Sequence, residues 1–156
     1  MGFSTNRIIN IISNYNTESR RISKILSKKL KEKGFHVPNK YSPYAELNIC
    51  IGGDGAFLRA VHRNSFPSIP FVGINTGHLG FFQEILPENI DDFIEKYISG
   101  DYNVENISLV ECEVCTKSNC FYLTAVNEIV VKGNRSKVTH LEIYIDGNHI
   151  ERFSGD

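Results

Sequence analysis

The run Ile51-Gly52-Gly53-Asp54-Gly55 joins an apolar stretch to a helical one, and this junction restricts the fold more than any other part of the chain. Leu47, Ile49, Cys50 and Ile51 predict a short buried strand. Ala56, Phe57, Leu58, Ala60 and Val61 predict the first turns of a helix packed on a sheet. Three glycines and one carboxylate therefore sit at the carboxyl end of a strand, where open α/β sheets hold their ligands. Glycine lets a backbone approach a bulky anion, and the amides at a helix start favour negative charge. An acid inside such a loop opposes simple anion binding. Its presence points to chemistry: Asp54 could take a proton or hold a metal ion beside the phosphates. The plainer alternative is a tight strand-to-helix turn with an exposed aspartate.

Two familiar glycine motifs do not fit. A Walker loop ends in Gly-Lys-Ser/Thr, and no such lysine is present. The dinucleotide fingerprint G-x-G-x-x-G needs a third glycine after Gly53 and Gly55, but that position is Leu58.

The 156 residues suit one domain or one and a half, and 41% hydrophobic residues suffice for a packed core. A formal net charge of −1 gives no reason to expect nucleic acid or an anionic membrane as partner. The basic run Arg20 to Lys33 shares a predicted helix with the stripe Ile22, Ile25, Leu26 and Leu30, so its charges read as the solvated face. No apolar run approaches membrane length, and no basic-then-apolar signal pattern opens the chain; a cytoplasmic protein is expected. Cys112 and Cys115 resemble a C-x-x-C pair, but their odd separation within one strand points them to opposite faces, away from a shared metal. Cys115 and Cys120 flank Lys117-Ser118-Asn119 and could face each other across a hairpin; reduced structural thiols are the expectation.

Along the chain, Arg7 to Ile12 predicts a first strand, followed by a polar loop to Thr17 and a helix ending near Gly34. Phe35 to Val37 is a weak strand. Phe71 to Ile74 is a further buried strand, leading into a second glycine-bearing loop, Asn75-Thr76-Gly77-His78-Leu79-Gly80-Phe81. Pro87 opens a helix closed by Gly100. From Val104 the helical period vanishes: Val104–Thr116, Phe121–Lys132, Lys137–Ile145 and Asn148–Phe153 read as strands, with Asp146-Gly147 as a hairpin turn. The fold expected is an α/β domain with a parallel sheet over residues 1–100, then the first antiparallel strands of a β-sandwich domain over 101–156, incomplete in this chain. Its open edges predict either a covering chain or a piece of something longer.

Asn127-Glu128 interrupts the apolar run Leu123 to Val131. Polar residues in mid-strand need a partner: either a bulge or edge exposes them, or they bind a polar ligand such as ribose hydroxyls. Together, Gly52-Gly53-Asp54-Gly55 with Phe57-Leu58-Arg59-Ala60, the Gly73 to Phe81 loop, Ala125-Val126-Asn127-Glu128 and Phe153-Ser154-Gly155-Asp156 resemble NAD kinases, in the family's order. The glycine-acid loop alone is shared with diacylglycerol, sphingosine and 6-phosphofructokinase relatives; the other stretches make the resemblance specific.

The resemblance implies transfer of a phosphoryl group from ATP, or polyphosphate, to the 2′-hydroxyl of the adenosine ribose of NAD, giving NADP, with a divalent metal, usually magnesium. It casts Asp54 as general base, and places Gly53 and Gly55 against the dinucleotide and Arg59 at a phosphate. His78 and Phe81 would wall the pocket, while Asn127, Glu128 and Asp156 would contact NAD. No protein residue is assigned as a metal ligand, and a homo-oligomer, dimer or tetramer, is expected. Ala56 departs from the threonine of many members, and the Thr-Pro-type loop and remaining β-sandwich that follow in the family do not occur among these residues. Two other readings stay open: a lipid kinase of the diacylglycerol or sphingosine type, and an inactive dinucleotide-binding fragment.

Overall fold

A computed structural model describes residues 7–77, 80–133 and 137–155. The chain divides into two compact units, Met1–Asn106 and Ile107–Asp156.

The first unit is built on three parallel strands in chain order: β1 (Ile9–Ser13), β2 (Leu47–Gly52) and β3 (Phe71–Asn75). β2 is central, and all six of its residues are buried. Its alternation sorts the helices onto opposite faces. Ile49 and Ile51 share a cluster with Ile22, Leu26 and Leu30 of α1 (Thr17–Glu32) and with Ile90 and Ile94 of α3 (Ile90–Ser99). Cys50, between them, packs against Phe57 and Ala60 of α2 (Asp54–Arg63). A period of two in the strand meets a period near 3.6 in each helix, and the product is a three-layer α/β/α unit. Burial raises the Cys50 thiol to about 12.

Local signals end the helices where the sequence places them. Asn16 caps α1, its side chain accepting from the Ser19 amide at 2.7 Å. Past the other end, the Phe35 amide donates to the Leu30 carbonyl and Gly34 to Lys31, while Phe35 and Leu30 are both buried. That is the Schellman bond pair with its apolar contact. Pro87–Asn89 forms a 3-10 turn leading into α3, and Gly100 follows its last residue. The expected strand at Phe35 to Val37 is reduced to one bridge, His36 with Ile8. Pro38 follows at once, and proline cannot donate to a ladder.

The second unit consists of two hairpins. β4 (Val110–Cys115) pairs antiparallel with β5 (Cys120–Ala125), and β6 (Thr139–Ile145) with β7 (Asn148–Gly155). Asp146 and Gly147, both at positive φ, make the second turn. Two sequence expectations are corrected here. The strands read as Val104–Thr116 and Phe121–Lys132 are shorter, because the ladder ends at the pair Val110 and Ala125. Nor are all the thiols reduced: Cys115 and Cys120 are directly opposite in register and form a disulfide, leaving Cys50 and Cys112 free. No helix among the described residues is long and apolar enough to cross a membrane.

Candidate functional site

The carboxyl ends of the three parallel strands bring three loops together. Gly52 closes β2, Gly53 caps α2, and Asp54 is the first residue of that helix, where the amide dipoles favour an acid. The Thr76 amide donates to the Gly52 carbonyl at 3.0 Å, and the Thr76 and Ser19 hydroxyls lie 2.7 Å apart. The Asn14 amide reaches the Ile51 carbonyl at 2.8 Å. The loops after β1, β2 and β3 are thus tied to one another through backbone groups.

Asp54 is half-buried and held on both oxygens. The Phe81 amide donates to Oδ2 at 2.8 Å and the Phe82 amide to Oδ1 at 3.0 Å. Each carboxylate oxygen has a second lone pair, so both remain able to accept from a ligand. Gly80 lies directly against this group: a Cβ there would stand 2.3 Å from Oδ1 and 2.6 Å from Cγ. Only a residue without a side chain leaves Asp54 where it is. Beneath it the Phe82 ring stacks on Phe57 at 5.1 Å, anchoring the second loop to α2.

Other sequence-selected residues are distributed as follows. Gly53 and Gly55 flank Asp54, and Gly55 is exposed. Arg59, one helical turn on and exposed, lies over Gly55, with Nη1 3.3 Å from where a Gly55 Cβ would be. It makes no ion pair among the described residues. Phe81 projects outward, 94% exposed. Asn127 and Glu128 belong to the second unit and are exposed beyond the end of β5, not within a strand. This corrects the mid-strand expectation: the apolar run continues in sequence, but its ladder has already stopped. His78 and Asp156 lie outside the described residues.

Sequence reasoning missed Gln83. It is only 5% exposed, and its Nε2 donates to the Gly53 carbonyl at 3.2 Å. The polar pair Gln83-Glu84 between Phe82 and Ile85, just past a glycine loop, was the available signal.

Asp54 is the only carboxylate in the glycine loop and the 75–82 loop. One acid suits a magnesium ion that arrives on substrate phosphates rather than a cage of protein oxygens. Among the described residues, one trio of potential metal ligands lies close together: Glu113, Cys115 and Cys120. Its sulfurs are bonded to each other, and thiolates are poor ligands for so hard a cation.

The profile described as ATP-NAD kinase N-terminal domain matches residues 15–102, more than half of the chain. The chain belongs to the NAD kinase family. It is 49% identical to an NAD kinase of Finegoldia magna over 98% of its own length and 57% of that protein's. It is 30% identical to one of Clostridium tetani over 95% of its own length and 58% of that protein's. The chain therefore spans somewhat over half the length of these relatives. Among solved structures, yeast NADH kinase complexed with NADH matches with a TM-score of 0.77 at 18% identity, covering 94% of this chain and 54% of that one. An Archaeoglobus fulgidus NAD kinase in complex with ATP matches with a TM-score of 0.71 at 22% identity, covering 94% and 57%. At those identities the two structures speak for the fold: a parallel sheet with helices, then antiparallel strands.

Proposed function

We propose that this chain carries the acceptor-activating part of an NAD kinase. The 2′-hydroxyl oxygen of the adenosine ribose attacks the terminal phosphorus of ATP, supplied as its magnesium complex, or of polyphosphate. The bond from that phosphorus to the bridging oxygen of the leaving group, ADP or the shortened polyphosphate, breaks as the new one forms. The hydroxyl proton passes to Asp54, and the products are NADP with ADP, or NADP with polyphosphate one phosphate shorter. A ribose hydroxyl is a weak nucleophile at neutral pH, so an acceptor within hydrogen-bond reach assists as the bond to phosphorus develops. The remaining barrier is lowered by positioning and by neutralising phosphate charge, which loop amides, Arg59 and the nucleotide's own magnesium would supply.

The observation that carries this reading is the fixing of Asp54. Two amides from a separate loop hold its carboxylate at the start of α2 while one lone pair on each oxygen stays available. A turn that merely needed an aspartate would not require a second loop, with a glycine pressed against the carboxyl group, to orient it. In the same proposal Gly53 and Gly55 let the dinucleotide approach, Phe81 and His78 wall its pocket, and Asn127, Glu128 and Asp156 bind NAD. The names of the relatives support NAD and ATP as ligands. A cytoplasmic homo-oligomer belongs to the proposal as well.

The test is NADP formation from NAD with magnesium ATP or polyphosphate, read by an NADP-specific dehydrogenase. NADP produced in proportion to protein, and abolished by Asp54→Ala, is the expected result. Phosphorylation of diacylglycerol or sphingosine without NADP would replace the reading by a lipid kinase. Calorimetric binding of NAD without any transfer would leave a dinucleotide-binding module.

A further inference from the structure

We infer that Gln83 is a positioning residue of the candidate site: its buried amide holds the Gly53 carbonyl and so sets the direction in which Asp54 presents its carboxylate. The inference rests on the kinase reading above for its catalytic consequence, but not for its structural part. Three consecutive residues of the second loop grip the glycine loop. Phe81 and Phe82 use backbone amides on Asp54, and Gln83 uses its side chain on Gly53, the residue immediately before it. Gly53 O is also the first acceptor of α2, taking the amides of Ala56 at 2.8 Å and Phe57 at 3.2 Å. Gln83 therefore acts on the one carbonyl that fixes where the helix begins. Its own placement is set by β3: a Cβ on Gly73 would lie 2.2 Å from the Phe82 carbonyl oxygen and 2.5 Å from Gln83 Oε1. The side chain is wedged between a bare strand residue and the loop it holds.

Stability does not account for an amide at this position. Gln83 Oε1 is buried and has no hydrogen-bond partner among the described residues. An orphaned acceptor is unfavourable, and removing it relieves that cost. The Gly53 carbonyl would not be orphaned in turn, since Ala56 and Phe57 still donate to it. Methionine has similar length and volume and no buried polar atom, so it fills the space without either defect. The fold alone is served as well by methionine. What methionine cannot do is restrain Gly53.

The experiment is Gln83→Met in the full chain, with three measurements. The melting temperature should be unchanged or higher. Amide hydrogen exchange at Ala56 and Phe57 should become about 3- to 10-fold faster, the size of one lost neutral hydrogen bond, while exchange in β2 and α1 is unaffected. With NAD and magnesium ATP, kcat should fall by about the same factor while KM for NAD changes less than about twofold. Gln83→Asn, whose amide is one methylene too short to reach, should behave like the methionine variant in exchange and kcat. Wild-type exchange rates at Ala56 and Phe57 in the methionine variant would overturn the inference, and so would an active variant with unchanged kcat. A lowered melting temperature with exchange accelerated throughout would also overturn it, making Gln83 an ordinary core residue. A wild-type chain that makes no NADP would instead sink the kinase reading, and the exchange data would still decide whether Gln83 holds the loop.

Discussion

Gly80→Ala should displace the carboxylate of Asp54 by the addition of a single methyl group. The new Cβ would stand 2.3 Å from Oδ1, 2.6 Å from Cγ and 2.8 Å from Oδ2 of Asp54, all well inside contact distance. Restoring van der Waals separation requires a shift of about 1 Å, enough to break bonds that now measure 2.8 and 3.0 Å. Hydrogen bonds to a charged group are worth about 1.5–3 kcal/mol each, but Asp54 is half-exposed and water can replace much of what is lost. A net loss of about 1–2 kcal/mol is therefore expected, or about 2–8 °C in melting temperature for a chain of this size. The catalytic effect should be larger, since a misplacement of about 1 Å can cost about 10²-fold in rate. The assay is a thermal melt paired with NADP formation, with Gly77→Ala as a stability control because a Cβ at Gly77 meets nothing within 4 Å. A Gly80→Ala protein with the wild-type melting temperature and turnover within about twofold would refute the argument that Asp54 is held where the loop leaves room for it.

Asp54→Asn should cost stability as well as turnover, because a carboxamide has one acceptor oxygen and must turn an N–H toward one of the two donating amides. A melt lowered by a few degrees and a kcat reduced by about 10²–10⁴-fold are expected, whereas an unchanged kcat would remove Asp54 from proton transfer. Glu128→Gln should weaken NAD binding more than ATP binding in calorimetry, and equal affinities would leave Glu128 an ordinary exposed residue. Titration with an aromatic disulfide reagent should label only Cys112 in the native chain, Cys50 as well after unfolding, and all four cysteines after reduction. Because burial pushes the Cys50 thiol up to about 12 from 9.0, the unfolded chain ionises it first. Its contribution to stability is full below about pH 9 and should fall as pH rises toward 12.

Much of the first unit was legible because its signals are local. The apolar run Leu47 to Ile51, the stripe Ile22, Ile25, Leu26 and Leu30, and the punctuation by Gly34, Pro87 and Gly100 each act over a few residues. The second unit was legible in kind but not in extent. Val126 to Val131 has strand composition, yet a strand lasts only as long as its partner, and pairing beyond Ala125 is not written in the run itself. Facing of Cys115 and Cys120 across a hairpin was one option in the sequence and reduced thiols the expectation; register brought them close enough to bond, and register is a relation between strands. At the candidate site, both glycine loops stood out in the sequence. The bonds joining them did not: Asp54 to Phe81 spans 27 positions and Gln83 to Gly53 spans 30. Nothing in the local pattern of Phe82 to Ile85 says which distant carbonyl a buried amide will meet.

The sheet order β1-β2-β3 has a consequence for how the unit is made. Chain order and spatial order coincide, so during synthesis each strand emerges next to an edge that already exists. β2 can dock on β1 with α1 behind it, and β3 can dock on β2, without any strand waiting for a later one to be inserted between its neighbours. The glycine loop leaves the ribosome between those two additions, still without Phe81 and Phe82 to grip its carboxylate. Asp54 is thus translated early and oriented late. The residues that aim it follow the last strand of the sheet, so the acid comes into position only after all three parallel strands have been made.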